Sequence, residues 1–348
     1  QLTTILKIII FLPLVFYLGE RSLIAFDEGF YVLQSRWILN SNNWIAPVFF
    51  DEVDLSRTIG IQFLMAISQK IFGSNNFNVY LPTIISSISM LFLTYELHKE
   101  ILDKKFALIS PLVLSTTFLW STYVNMATQD ITYATIVTFG IYKSIQAFKY
   151  RKNIDIFISG CWVGLGAMLK TYLVAIPLIP LLPFLFRNKI LFKKIYWMGI
   201  IIGFIPFLIW SINVIQLYDY HIYSDLFRKL ITLSKNNTFT NPFYYYLWNI
   251  PVNIFPWTFI TIIGLYFSRK NDNYPLAKYF LFTYPLSIIF LLSCFSTKTP
   301  YYPLQILSFL SINTTLGIIK IQQSSNILIK VFKRINFLLI PLLVLITT

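Results

Sequence analysis

Charge is scarce in this sequence. Only 12% of its 348 residues are Asp, Glu, Lys or Arg, about half the ~25% usual in soluble domains. Hydrophobic residues make up 56% and the mean hydropathy is +0.66, which excludes a water-soluble globule. Cysteine is nearly absent as well. Cys161 and Cys294 each stand in an apolar stretch, so neither a disulfide framework nor a paired-cysteine metal site is available, and both read as packing residues. There is no HExxH, no GxSxG, no Walker A loop and no Rossmann glycine pattern, so zinc protease, serine hydrolase and nucleotide-driven pump have no support. Carboxylates number 14 against 28 Lys and Arg, for a net charge of +14. In a soluble protein that balance would raise nucleic-acid binding. Here the cations punctuate apolar runs, as the positive-inside rule predicts for membrane-protein loops, and no nucleic-acid partner is expected.

What the sequence has in abundance is long hydrophobic runs, which repeatedly approach the ~20 residues a helix needs to cross a bilayer. The expected fold class is an all-α polytopic integral membrane protein. Runs bounded by charge or by Pro/Asn clusters give eleven candidate spans. They are Leu2 to Leu18, Val79 to Tyr95, Phe106 to Val124, Ile131 to Phe148, Ile156 to Leu169, Tyr172 to Phe186, Ile195 to Val214, Pro251 to Phe267, Tyr279 to Phe295, Tyr301 to Ile319, and a last one from Ile335. The fifth and sixth are short and separated only by Lys170-Thr171, so they form either a tight hairpin or one broken helix. The chain starts at Gln1 and stops within an apolar run at Thr348, and sequence beyond the C-terminal end is expected to be missing.

If the start lies inside, the loops carrying Lys99, Lys104 and Lys105, then Lys149, Arg151 and Lys152, then Arg187, Lys189, Lys193 and Lys194 are all inside. The outer segments carry fewer cations over more chain, which supports that orientation. They also hold most of the acids, among them Asp27, Glu28, Asp51, Glu52, Asp54 and Asp130. Two outer segments are long, residues 19–78 and 215–250, where function is sought first. Within residues 1–348, read as one transmembrane domain, the first of these loops carries two interfacial helices. Asp27 to Leu39 has Phe30, Leu33, Trp37 and Ile38 at helical spacing, and Thr58 to Phe72 reads as a second.

Asp27-Glu28 opens the first of these helices. An acid there is favoured by the helix dipole, so a capping role stands beside the functional one, a carboxylate serving as general base at the membrane surface. Asp130 lies at the outer end of a span in Met126-Ala-Thr-Gln-Asp-Ile-Thr, where an ionisable group is either functional or a helix cap. Arg57, Lys170, Arg228 and Lys298 face the same compartment and suit a phosphate or pyrophosphate, with snorkelling to lipid headgroups as the plain alternative. Asp51-Glu52-Val53-Asp54, with His221 as a distant candidate, offers oxygen ligands for a divalent metal, although acids in a loop are more often simply solvated. The aromatic content of 18%, including Phe243-Tyr-Tyr-Tyr246, Phe255-Pro-Trp257 and Tyr301-Tyr302, fits interfacial belts and is also compatible with packing on a sugar or a polyprenyl chain.

The segments Phe26-Asp-Glu-Gly-Phe-Tyr, Trp44-Ile-Ala-Pro47, Asp130 with its neighbours, Gly164-Leu-Gly-Ala-Met-Leu-Lys170-Thr, Pro242-Phe-Tyr-Tyr-Tyr246, Pro256-Trp257 and Lys298-Thr-Pro-Tyr-Tyr-Pro303 occur in the order found in polytopic glycosyltransferases of the GT-C fold. The chain resembles the dolichyl-phosphate-mannose protein mannosyltransferases and their bacterial aminoarabinose lipid A transferase branch over nearly all of its length. The resemblance implies a GT-C fold of about 11 transmembrane helices, and transfer of a sugar from a polyprenyl-phosphate carrier, undecaprenyl or dolichyl phosphate, to a lipid, glycan or protein acceptor. It implies catalysis by Asp27 with Glu28 beside it and Asp130 as second acid. Carrier phosphate would be bound by Arg57, Lys170 and Lys298, with Arg228 in the other long loop and Tyr301 and Tyr302 as aromatic contacts. The bacterial transferases have a Lys-Pro-Pro stretch where this chain has Arg57-Thr-Ile, which keeps the cation but implies a different donor headgroup or acceptor. The implied setting is a bacterial inner membrane with the site facing outward. The rival reading is a lipid-linked oligosaccharide flippase, which expects charges lining span interiors.

Overall fold

The computed structural model describes residues 10–14, 22–24, 27–46, 48–49, 52–54, 57–218, 240–270 and 274–323. Helices dominate them. Helix α1 (Asp27–Ser41) and α2 (Gly60–Phe72) pack together, with a two-residue antiparallel ladder, Val48–Phe49 against Glu52–Val53, lying against α1. Then follow α3 (Asn76–Ile101), α4 (Ile109–Ser115), α5 (Phe118–Val124), α6 (Gln129–Tyr150), α7 (Asn153–Lys170), α8 (Ala175–Arg187) and α9 (Lys194–Tyr218). Next come α10 (Tyr245–Asn253), α11 (Thr258–Arg269), α12 (Pro275–Cys294) and α13 (Tyr302–Gln323). Among the described residues five helical stretches are long and apolar enough to span a membrane, or six if the α10–α11 pair, bent by 111°, counts as one. The protein is an integral membrane protein.

The two helices expected in the first long loop lie within a residue or two of where the sequence puts them, and the long spans coincide with α3, α6, α9, α12 and α13. The stretch 106–124 instead breaks into α4 and α5. At the break Thr116 Oγ1 bonds back to Leu112 O and accepts from Trp257 Nε1 (2.9 Å), while Phe118 N donates to Phe255 O (3.0 Å). Tertiary partners thus replace helical ones, and periodicity cannot reveal that. The stretch 251–267 breaks likewise, between α10 and α11. Span 2–18 is described only at residues 10–14, and the last span lies outside the described residues.

The pair of short spans resolves as a hairpin. Thr171 ends α7 at φ 46°, a left-handed conformation strained for a β-branched residue, and a 3-10 turn (Thr171–Val174) leads into α8. Arg151, just before α7, donates through Nη1 to Asn188 O beyond α8 at 2.8 Å, so the two helices run antiparallel. Helices α7 and α9 run parallel and touch through glycines. A Cβ on Gly164 would sit 2.2 Å from the backbone of Gly203, and one on Gly160 would sit 2.2 Å from Tyr196 O. Gly160-x-x-x-Gly164 therefore faces Gly199-x-x-x-Gly203, the small-residue packing by which helices approach closely in lipid.

Helix α13 is the most buried of the long apolar helices and α9 the least. Inside protein rather than lipid, α13 carries Ser308, Thr314 and Thr315, which bond Thr94 (2.9 Å), Thr261 (2.6 Å) and Ser110 (2.8 Å) on three neighbouring helices. These hydroxyl pairs hold the bundle around α13, whose N-terminal turn carries the tyrosines of the site.

Candidate active site

Four chain segments converge where α6 begins and α7 ends. Asp130, the second residue of α6, accepts from Lys170 Nζ, the last residue of α7, in a pair whose side chains are each 6% exposed. The Lys170 ammonium also lies over the rings of Tyr301 (4.9 Å), Tyr133 (5.4 Å) and Tyr302 (5.5 Å), so cation–π contact adds to the ion pair where water is excluded. Asp130, Lys170, Tyr301, Tyr302 and Gln305 line a small cleft, with Leu304 and Ile176 also in its wall.

The second pair comes from the first loop. Arg57 Nη1 donates to Asp27 Oδ1 (2.8 Å) and to Tyr31 Oη (2.5 Å), and the guanidinium lies 5.1 Å and 5.2 Å from the ring centres of Phe30 and Tyr31. Asp27 and Tyr31 are one helical turn apart on α1, so both reach the same cation. Among the described residues Arg57 makes its side-chain hydrogen bonds through Nη1. Burial pushes the Tyr31 phenol above its ordinary value, and Asp27 and Asp130 act in the same direction against Arg57. The phenol therefore stays neutral and serves as acceptor for Arg57.

The two pairs are joined through α2. Thr58 Oγ1 donates to Leu169 O at 3.1 Å, and Gly60 packs so closely on the end of α7 that a Cβ would lie 2.4 Å from Met168 O. The chain just after Arg57 thereby packs on the end of α7 that carries Lys170.

The remaining sequence candidates have other surroundings. Glu28 is 2% exposed, and its carboxylate accepts from Ile24 N (2.6 Å) and Ala127 N (2.8 Å), so it ties the start of α1 to the turn before α6. Lys298, 4% exposed, donates to Asn241 O (2.9 Å) and to Phe295 O, and burial lowers its pKa from the ordinary lysine value. It staples residues 240–241 to the loop that leads into Tyr301, and no carboxylate among the described residues comes within 4.0 Å of it. Asp54 accepts from Gln34 Nε2 at 3.1 Å. Arg228, His221 and Asp51 lie outside the described residues, as does the side chain of Glu52. Among the described residues no three His, Cys, Asp or Glu side chains are grouped to hold a metal.

Sequence reasoning missed Tyr31, Tyr133 and Gln305. Tyr31 had a legible signal, its spacing of four from Asp27. Tyr133 and Gln305 had none, because each lies on an apolar helix that only tertiary packing turns toward the cleft. Gln305 is 4% exposed, and its Oε1 accepts no hydrogen bond within the described residues.

Known proteins with related sequence or fold agree with this architecture. Residues 56–211 match the family described as dolichyl-phosphate-mannose-protein mannosyltransferase. An uncharacterized protein of Aquifex aeolicus is 24% identical over 311 residues, covering 86% of this chain and 60% of its own length. The undecaprenyl phosphate-alpha-4-amino-4-deoxy-L-arabinose arabinosyl transferase of Shewanella sediminis is 24% identical over 317 residues, 87% of this chain and 57% of that protein. The chain thus spans about three fifths of the length of these relatives. The crystal structure of ArnT from Cupriavidus metallidurans bound to undecaprenyl phosphate superposes with a TM-score of 0.80 at 16% identity, over 91% of this chain and 59% of that one. The Archaeoglobus fulgidus oligosaccharyltransferase in its apo form gives 0.57 at 12% identity, over 99% and 54%. Family model, relatives and architecture converge: the chain has the GT-C fold of the ArnT-like glycosyltransferases.

Proposed function

We propose that this protein is a membrane glycosyltransferase that moves a sugar from a polyprenyl phosphate, of the undecaprenyl or dolichyl class, to a lipid, glycan or protein acceptor. The observation that carries the reading is the buried Asp130–Lys170 pair in a tyrosine-lined cleft, with the Asp27–Arg57 pair tied to the end of the same helix through Thr58. The setting is a bacterial inner membrane, with residues 1–348 as one transmembrane domain, residues 19–78 and 215–250 as its two long outer loops, and the cleft opening to the outer side. The related arabinosyl transferase and the ArnT complex support the donor class.

In this reading the acceptor hydroxyl or amine attacks the anomeric carbon, and its proton passes to the Asp27 carboxylate, the more exposed of the two acids. The bond between the anomeric carbon and the phosphate oxygen breaks, and its electron pair leaves with the carrier phosphate. Arg57 binds that phosphate with the N–H groups it does not use on Asp27 and Tyr31, and Lys170 supplies a second positive charge from a water-poor site where it acts strongly. Asp130 holds the Lys170 ammonium in place. Glu28 and Lys298 support the pocket by fixing the start of α1 and the loop before Tyr301, and Arg228 completes the carrier site from the second long loop. Ionisable groups lining span interiors would favour the flippase alternative. Here Asp27 opens α1, Asp130 opens α6 and Lys170 closes α7, an arrangement suited to chemistry at the membrane surface.

The test uses full-length protein in proteoliposomes with a labelled pool of polyprenyl-phosphate sugars and an acceptor extract, scoring sugar transfer and released carrier phosphate. Wild type is expected to consume donor, and Asp27→Asn to be about 10²–10⁴-fold slower with its fold intact. Donor that merely changes leaflet, equally in both proteins, overturns the transferase reading.

A further inference from the structure

The opposite end of the bundle carries a second charged constellation. There α6 ends at Tyr150, α7 begins at Asn153, α8 ends at Arg187 and α9 begins at Lys194. The bond from Arg151 Nη1 to Asn188 O (2.8 Å) joins the two turns into one surface. Six cations stand on it, Arg151, Lys152, Arg187, Lys189, Lys193 and Lys194, and all are exposed. Among the described residues none of the six has a carboxylate within 4.0 Å. The neighbouring cations at this end are neutralised: Lys99 by Glu96 (2.8 Å), Lys149 by Glu100 (2.9 Å) and Lys143 by Asp155 (2.8 Å). Asp155 is the only carboxylate between Tyr150 and Ile200. The positive-inside rule accounts for the sign of this charge but not for the exclusion of counter-charge from one corner.

Helix direction adds to the effect. Helices α7 and α9 are parallel, so both present their N-terminal N–H groups and positive dipole ends here. The residue capping α7 is Lys152, whose side chain makes no capping bond, and the one acid in its first turn, Asp155, is taken up by Lys143; α9 starts with Lys194 and has no acid in its first turn. A lysine at a helix N-terminus is electrostatically unfavourable unless an anion is held there. Apolar groups stand beside the cations: Phe186, Phe192 and Trp197 are 61%, 66% and 53% exposed, and the two phenylalanine rings lie 5.4 Å apart. Trp197 Nε1 donates to Leu191 O at 2.8 Å, which places its ring at the level of the turn. Directly above, α9 exposes Ile201, Ile205 and Ile209.

The geometry points to a binding site for the phosphate headgroup of an anionic phospholipid, held by the cations of the α6–α7 and α8–α9 turns and by two helix N-termini, with its acyl chains on the exposed face of α9. A soluble phosphate would need no such apolar border, and this commits the site to lipid. It is separate from the cleft of Asp130 and Lys170, which lies at the other ends of α6 and α7.

Native mass spectrometry tests the assignment on the full chain, released from detergent after titration with phosphatidylglycerol or phosphatidylcholine of matched acyl chains. Wild type is expected to retain phosphatidylglycerol at least tenfold more than phosphatidylcholine. A variant carrying Arg151→Gln, Lys152→Gln, Lys193→Gln and Lys194→Gln is expected to lose that preference. A control with Lys104→Gln and Lys105→Gln, cations at the same end beyond this corner, is expected to keep it. No preference in wild type overturns the proposal without recourse to any variant. Equal loss in the control reduces the effect to diffuse charge and overturns it too. Displacement of the lipid by millimolar inorganic phosphate would show a soluble-anion site instead.

Discussion

The Asp130 and Lys170 side chains are each 6% exposed, whereas Asp27 and Arg57 keep 40% and 31%. This difference separates catalytic from structural loss. Asp130→Asn strands a buried ammonium, which costs about 3–5 kcal/mol, and a thermal-melting assay should show it clearly. Adding Lys170→Met to Asp130→Asn is expected to restore much of that stability but no activity, because the stranded charge is gone while the phosphate partner is gone too. Asp27→Asn touches a half-exposed pair worth at most about 1 kcal/mol, so melting should hardly move while transfer collapses. Arg57→Lys keeps the charge but loses the fork and the contact with Phe30 and Tyr31. We expect the donor KM to rise about tenfold with a smaller change in kcat, and steady-state kinetics against donor concentration would show an unchanged KM if Arg57 does not meet the phosphate.

At the scale of elements, the site depends on how closely helices approach. Gly60→Ala would drive a methyl to 2.4 Å from Met168 O, so α2 must lift from the end of α7 and carry Arg57 away from Lys170. A displacement near 1 Å at a reacting centre can cost about 10²-fold in rate, so transfer should fall between tenfold and a hundredfold. Gly164→Leu acts elsewhere. It forces apart α7 and α9 where Gly164 meets Gly203, about 9 Å along the helix from Lys170, and overpacking of this kind costs about 1–3 kcal/mol. The expected signature is a lowered melting temperature with near-normal activity in the surviving protein; an unchanged melting temperature would contradict the close crossing.

For the whole molecule, the decisive property is which end faces which compartment. With Cys161→Ser and Cys294→Ser as background, single cysteines from Asn42→Cys and Ser74→Cys lie on the side of the candidate site, and those from Lys105→Cys and Asn153→Cys lie on the other. In right-side-out vesicles an impermeant maleimide should label the first two and spare the second two. Labelling of all four, or the inverse pattern, would place the cleft inside and defeat a polyprenyl-phosphate reaction at the outer surface.

Membrane class and the identity of the charged candidates were legible in the sequence, because each follows from composition and local pattern. Apolar runs near the length of a bilayer dictate helices, and 14 carboxylates in 348 residues leave few places for acid–base chemistry. Asp27, Arg57, Asp130 and Lys170 stood out because a charge beside a membrane span needs a reason. Their pairing did not, since it joins residues 30 and 40 positions apart through the docking of α2 on α7. Only the tertiary structure decided that Lys170-Thr171 is a hairpin turn, that 106–124 is two helices, that Lys298 bonds carbonyls, and that Tyr31, Tyr133 and Gln305 border the site. In each case the deciding energy comes from a partner distant in the chain: a carbonyl, a ring or a glycine that permits close approach. No local period in the sequence encodes such a partner.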